Sequence, residues 1–247
     1  MKKIITFILL IFIFLIGFGN LSAGWELDLE SGGVFSGYND VQIPREAGTK
    51  ISLIDNLSTD SKVYFRARLT WNINDKHSLS LLAAPLKLNA SGQVDKEVFF
   101  EGTTFPANTP LEALYRFDSY RLTYRYNFHR KENLTIGIGF TAKIRDAEVT
   151  LKSTELSSTK TNTGFVPLIN FRLNWRLAPQ FSLLFEGDAL AAPQGRAEDV
   201  FLGLTYDPIE NFGLKIGYRI LEGGADVEEV YNFTLLHYIS LGAIIRF

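Results

Sequence analysis

The chain has 247 residues, no cysteine, a formal charge of −2 and a mean hydropathy of +0.05. Its length suits one large all-β domain. The missing cysteines exclude disulfides, thiolate metal sites, thiol nucleophiles and a lipid-modified N-terminal cysteine, and the acidic balance argues against nucleic acid as a partner. Aromatic residues make up 13% of the chain. That content with near-zero hydropathy suits a barrel with one greasy and one wet face better than a helical membrane protein or an ordinary soluble one.

Residues 1–23 read as a cleaved secretion signal. Lys2 and Lys3 precede an apolar run of 15 residues from Ile4 to Phe18, interrupted by Thr6. Leu21-Ser22-Ala23 then offers a small-residue cleavage site before Gly24. The run is short for a spanning helix. Residues 24–247 then form one domain.

From Trp25 onward the chain alternates apolar and polar residues in segments bounded by turns, the pattern of half-greasy strands. The first segment, 25–38, sets Trp25, Leu27 and Leu29 against Glu26, Asp28 and Glu30. The second, 62–73, sets Val63, Phe65, Ala67, Leu69, Trp71 and Ile73 against Tyr64, Arg66, Arg68 and Thr70. The third, 78–88, changes phase around Pro85, which predicts a bulge. The next are 115–128, 134–150, 164–177, 181–190, 198–206, 212–220 and 230–247. Ten strands result, or eight if two short segments merge. Turns at 74–77, 129–133, 178–180 and 207–211 are tight. The segments 39–61, 89–114 and 151–163 read as longer loops on the opposite rim, where short periplasmic turns and long outer loops are the rule for barrels that cross a membrane. An even strand number puts both termini on the periplasmic side.

The last residues are His237-Tyr238-Ile239-Ser240-Leu241-Gly242-Ala243-Ile244-Ile245-Arg246-Phe247. Phe247, Ile245, Ala243, Leu241 and Ile239 share one face and the chain stops at Phe. Here the sequence resembles outer-membrane β-barrels of Gram-negative bacteria, of the small OmpA-like and OmpW-like kind. The resemblance implies a transmembrane antiparallel up-and-down barrel in the cell outer membrane. It also makes the terminal face a signal for the barrel-assembly machinery, with outer-membrane lipid and lipopolysaccharide as neighbours and a monomer as the oligomeric state. A soluble lipocalin-like barrel, the rival, would carry its apolar face inward.

On the same phase the inward face holds five acids (Glu26, Asp28, Glu30, Glu186, Asp188) and eleven bases. The bases are Arg66, Arg68, Arg121, Arg125, Lys143, Arg145, Arg172, Arg176, Lys215, Arg219 and Arg246. Arg125, Arg176 and Arg246 are expected near the periplasmic rim, facing water or headgroups. A turn centred on Pro179 places Arg172 across from Glu186 and Asn170 across from Asp188, where opposite charges attract.

Three functions follow. A structural or surface-interaction barrel would have a lumen filled by these side chains. A narrow channel would use the surplus of bases to favour anions. A lipid A-modifying enzyme would need a nucleophile and a base. His237 is on the lipid-facing phase, but Ser240, three residues on, falls on the opposite face, unlike the His and Ser two apart of barrel lipid A deacylases. No catalytic residue, metal or cofactor is assigned. Phe99, Phe100, Phe105, Pro106 and Pro110 are expected to pack a long loop over the mouth or to contact a ligand.

Overall fold

The computed structural model describes residues 24–247, so the predicted signal at 1–23 lies outside the described residues. No helix occurs among the described residues. Ten strands form the wall: β1 (Gly24–Gln42), β2 (Lys62–Asn72), β3 (His77–Ala84), β4 (Pro110–Lys131), β5 (Leu134–Lys152), β6 (Ser157–Ala178), β7 (Phe181–Ala192), β8 (Gly195–Ile209), β9 (Phe212–Val227) and β10 (Val230–Arg246). Each strand pairs antiparallel with its chain neighbours, and β10 returns to β1, so the sheet closes on itself. Trp25 and Phe247 exchange backbone hydrogen bonds of 2.8 and 2.9 Å at the seam. Both ends of the described chain therefore lie at one rim.

Alternation sets the two faces. Outward on β5 stand Ile138, Phe140 and Ile144, and on β6 stand Phe165, Ile169 and Trp175, all exposed. On β10 the outward row is Ile239, Leu241 and Ile245. Along β5 this apolar face runs from Leu134 to Ile144 and then turns charged at Asp146 and Glu148. Eleven or so residues of tilted strand is the length that crosses a bilayer. Aromatic pairs mark the belt near the terminal rim, with Trp25 on Trp71 at 6.0 Å and Phe181 on Tyr206 at 4.8 Å. Such girdles suit the bilayer interface.

The strands run well past the belt. β4 and β6 each have 22 residues. At about 3.3 Å per residue and a tilt near 40° they rise roughly 55 Å, about twice the height of an apolar belt. Two of the expected loops are therefore mostly sheet. The stretch 151–163 reduces to a turn after Lys152, and β6 has already begun at Ser157. The stretch 89–114 holds a continuation of β3 (Lys87–Gln93) and the start of β4. Apolar patterning ends where lipid ends, but backbone pairing does not, so the sequence marks the belt rather than the strand.

At Pro85 the wall breaks, as expected of a residue without an N–H. The Asp118 carboxylate fills the gap and accepts the Leu86 N–H at 3.0 Å. A second irregularity was not foreseen. A bulge at Gly37 shifts the phase of β1, so that Asn39 and Val41 face inward after Ser36. A Cβ at Gly37 would lie 2.6 Å from the His237 ring, so no other residue fits without displacing it.

Candidate functional site: a charged layer beneath an apolar plug

Three layers fill the interior, beginning at the terminal rim. There a polar pocket of about 300 Å³ opens between Thr135, Asn174, Arg176, Ser182, Asp207 and Arg246. Arg246 bonds Glu26 at 3.2 Å and Asp207 at 2.8 Å across its wall.

Above it lies a layer of buried charge. Asp199 on β8 is its hub. One carboxylate oxygen accepts from Arg219 at 2.6 Å, and the other from Arg121 at 2.6 Å and Arg66 at 3.0 Å. Glu30 on β1 accepts two bonds from Arg219, at 2.9 and 2.8 Å, and one from the Tyr64 hydroxyl at 3.0 Å. Lys215 reaches Asp28 at 2.7 Å and Glu30 at 2.8 Å. Asp188 accepts from Arg121, Thr141 and Asn170, each at 2.7 Å. Glu186 takes Arg68 at 2.7 Å, with Arg172 at 3.7 Å. The pairs Arg172–Glu186 and Asn170–Asp188 sit directly opposite in the β6–β7 register, the arrangement the Pro179 turn dictates. Buried ions are tolerated when paired and hydrogen-bonded in this way.

Space for the long side chains comes from glycine. The Phe201 ring lies across Gly203 and Gly217, where added Cβ atoms would approach it to 2.5 and 2.6 Å. Lys215 and Arg219 stack on the same ring at 5.2 and 5.0 Å from its centroid.

Two of the buried cations have no acid. Lys143 is buried, and its Nζ lies 4.8 Å above the Phe117 ring, with no carboxylate within 4 Å among the described residues. Arg125 donates to Asn170 at 2.8 Å. The expectation that Arg125 meets water or headgroups is corrected here. At 5% exposure it belongs to the inner layer, because Gly137 and Gly139 on the paired strand leave it room to fold inward. Arg145, the last of the inward bases on β5, bonds the Asn162 amide, and its Nε is buried without a partner.

The third layer is apolar; two of the phenylalanines expected to pack over the mouth, Phe100 and Phe105, are buried in it, whereas its first-loop and wall members were not foreseen. The first loop supplies Ile43, Ile51 and Leu53, each 1% exposed. Short strands Ile51–Ser52 and Ser58–Thr59 tie that loop to β1 and to the Lys87–Gln93 segment. A hairpin of Val98–Phe100 and Thr103–Phe105 supplies Phe100 and Phe105, both fully buried. It turns at Glu101 and Gly102, whose φ angles of 44° and 77° make this a turn that glycine favours. Inward-facing Val34, Val41, Leu111, Val149, Leu151 and Leu236 of the wall complete one cluster with these residues. At the break in the wall, Tyr64, Arg66, Phe117 and Tyr238 line a void of about 10 Å³ together with Ala84 and Pro85.

On the outer face His237 stacks on Phe35 at 5.2 Å and hydrogen-bonds Tyr218. Ser240 is buried inside and bonds Tyr64 at 2.6 Å. The two residues occupy opposite faces and form no catalytic pair. Among the described residues, no cluster of His, Asp and Glu has metal-binding geometry.

The fold itself is shared. The outer-membrane protease OmpT from Escherichia coli has a TM-score of 0.56 to this chain at 10% identity, over 93% of this chain and 99% of that one. An outer-membrane channel from Pseudomonas putida F1 gives 0.44 at 10% identity, covering 92% and 97%. The attachment invasion locus protein Ail of Yersinia pestis gives 0.41 at 12% identity, covering 90% and 99%. No family model matches the chain, and no curated protein matches it. The closed ten-stranded antiparallel sheet with its outward apolar belt is that of a small outer-membrane β-barrel. At 10% identity the likeness to the protease speaks to fold and not to its chemistry, and the two looser likenesses carry no argument.

Proposed function

We propose that the protein is a closed, monomeric outer-membrane barrel that acts through the part of its wall standing outside the cell. The observation that carries this reading is the apolar plug, with Phe100 and Phe105 fully buried between the first loop and the wall. An apolar plug over a paired-charge layer leaves hydrated ions no polar route, because desolvating a charge is costly. On this reading the terminal rim faces the periplasm and the plugged end faces out. Residues 1–23 are removed on export. Phe247, Ile245, Ala243, Leu241 and Ile239 serve barrel assembly, and the belt meets lipid and lipopolysaccharide.

Planar-bilayer recording tests it. The intact barrel is expected to be silent, whereas deleting residues 95–109 should open a conductance. Steady anion-selective current through the intact barrel would instead favour a channel built on its surplus bases, and the closed reading would fall.

A further inference from the structure

The wall is not continuous at the plugged end. β6 and β7 pair from Ala178–Phe181 up to Ile169–Ala189 and no further. Above that point β6 continues for 12 residues, Ser157–Leu168, paired only with β5. The β7–β8 hairpin meanwhile ends at Ala192–Gly195. A notch therefore opens between β6 and β7.

The notch starts within the belt. Ile169 pairs with Phe140, and Phe165 pairs with Ile144, the last apolar row on β5. Unpaired backbone at this depth cannot be satisfied by hydrocarbon. Pro167 removes one donor from the open edge, and the remaining groups need a polar partner. Leu190 has the inward phase of Asp188, yet it is 37% exposed, so it is left uncovered on the side of the gap. One row above Ile144, at the boundary between belt and charged surface, stands Arg145. It bonds only an amide oxygen, and its Nε is unpartnered and buried. Beside it is Lys143, buried without an acid. A cationic upper end above an apolar lower end has the polarity of a lipid in the leaflet alongside, with its headgroup up and its chains down.

We infer that this notch binds an anionic phospholipid-like amphiphile from the adjoining leaflet. The phosphate sits at Arg145, with Lys143 contributing field, and an acyl chain lies in the gap between Phe165 and Leu190. The oxygen-rich headgroup satisfies the open β6 edge. The inference rests on the plugged end facing outward only for naming the leaflet. A conductance result that sank the closed lumen would leave it standing.

Native mass spectrometry of the whole barrel in detergent tests it, offering 1-palmitoyl-2-oleoyl-phosphatidylglycerol against the phosphatidylcholine with the same chains. One phosphatidylglycerol should be retained in preference. Arg145→Gln should lower its occupancy by about tenfold, the scale of one charge-assisted contact, and Arg145→Lys should keep most of it. Val166→Trp, which fills the gap from β6, should also release the lipid, with folding checked by heat-modifiable migration. Equal retention of both lipids, or binding that survives both Arg145→Gln and Val166→Trp, overturns the proposal. Chain-free glycerophosphoglycerol or inorganic phosphate binding as well as the lipid would reduce the notch to a bare anion site and overturn it too.

Discussion

At the residue scale the interior is organised by carboxylates that each serve several cations. Asp199 bonds three arginines from three strands. Removing it strands buried charge on all of them. Asp199→Ala is expected to destabilise the barrel by about 3–5 kcal/mol, read from urea unfolding in lipid vesicles. A loss under 1 kcal/mol would mean the arginines find other partners. A different pair responds to pH. Outside the belt, the Arg45 guanidinium bonds Asp226 at 2.5 Å and holds its carboxyl below the usual carboxylate range. A carboxyl lowered in the folded state contributes stability above its unfolded value, and that contribution is lost as pH falls through the lowered one. A spin label at A47C should therefore keep constant mobility from neutral pH down to the carboxylate range and loosen only below it. Loosening near pH 6 would point to a histidine instead. Most of the inward charges could be read from alternation alone. Asp199 has the same phase but sits at the very start of its segment, where a two-residue period has no neighbours to confirm it. Arg125 was placed at the rim because its burial depends on two glycines of the next strand, which no single segment displays.

At the element scale, the hairpin at residues 98–105 behaves as a core element although it lies in a connection. Its phenylalanines carry apolar area away from water as strand residues would. Phe100→Ala should cost about 3–5 kcal/mol in the same unfolding measurement, as for any fully buried aromatic. Near-neutral behaviour would show that the hairpin does not pack in the folded barrel. Strand positions were legible wherever one face meets lipid and the other meets water. The contrast disappears beyond the belt. There, outward residues such as Thr159, Thr161 and Thr163 are polar, while inward residues such as Val149 and Leu151 are apolar. The two-residue period persists, but its sign reverses relative to the membrane half of the same strand. A reader tracking one greasy outward face loses the strand at that crossover and names a loop. The phenylalanines of the second loop suggested packing over the mouth, but the rest of the plug could not be inferred, since it joins residues of two loops with wall positions from both ends of the chain.

At the scale of the whole molecule, the belt fixes which changes the membrane refuses. Leu241→Arg, on the outward face of β10, should destabilise the barrel by about 2–4 kcal/mol in vesicles if it lies near the bilayer midplane. The same change at Thr161, beyond the belt, should be close to neutral. Equal costs at both positions would place the hydrophobic zone elsewhere. The seam between β1 and β10 bears on how the barrel is made. Its side-chain contact between Glu26 and Arg246 joins residues 220 apart in sequence, whereas the backbone pairings between the other neighbouring strands join residues much closer together in the chain. Loop-closure entropy grows only slowly with length, so the seam is not forbidding once the hairpins exist, but it cannot form first. Assembly is therefore a zipper of neighbours followed by a single long-range latch, and until the latch shuts both outer strands present open edges to the membrane. Slowing that step with little change to the finished barrel, for example by Glu26→Gln at the partly exposed seam contact with Arg246, should lengthen the lifetime of an unsealed sheet while leaving its final stability nearly unchanged.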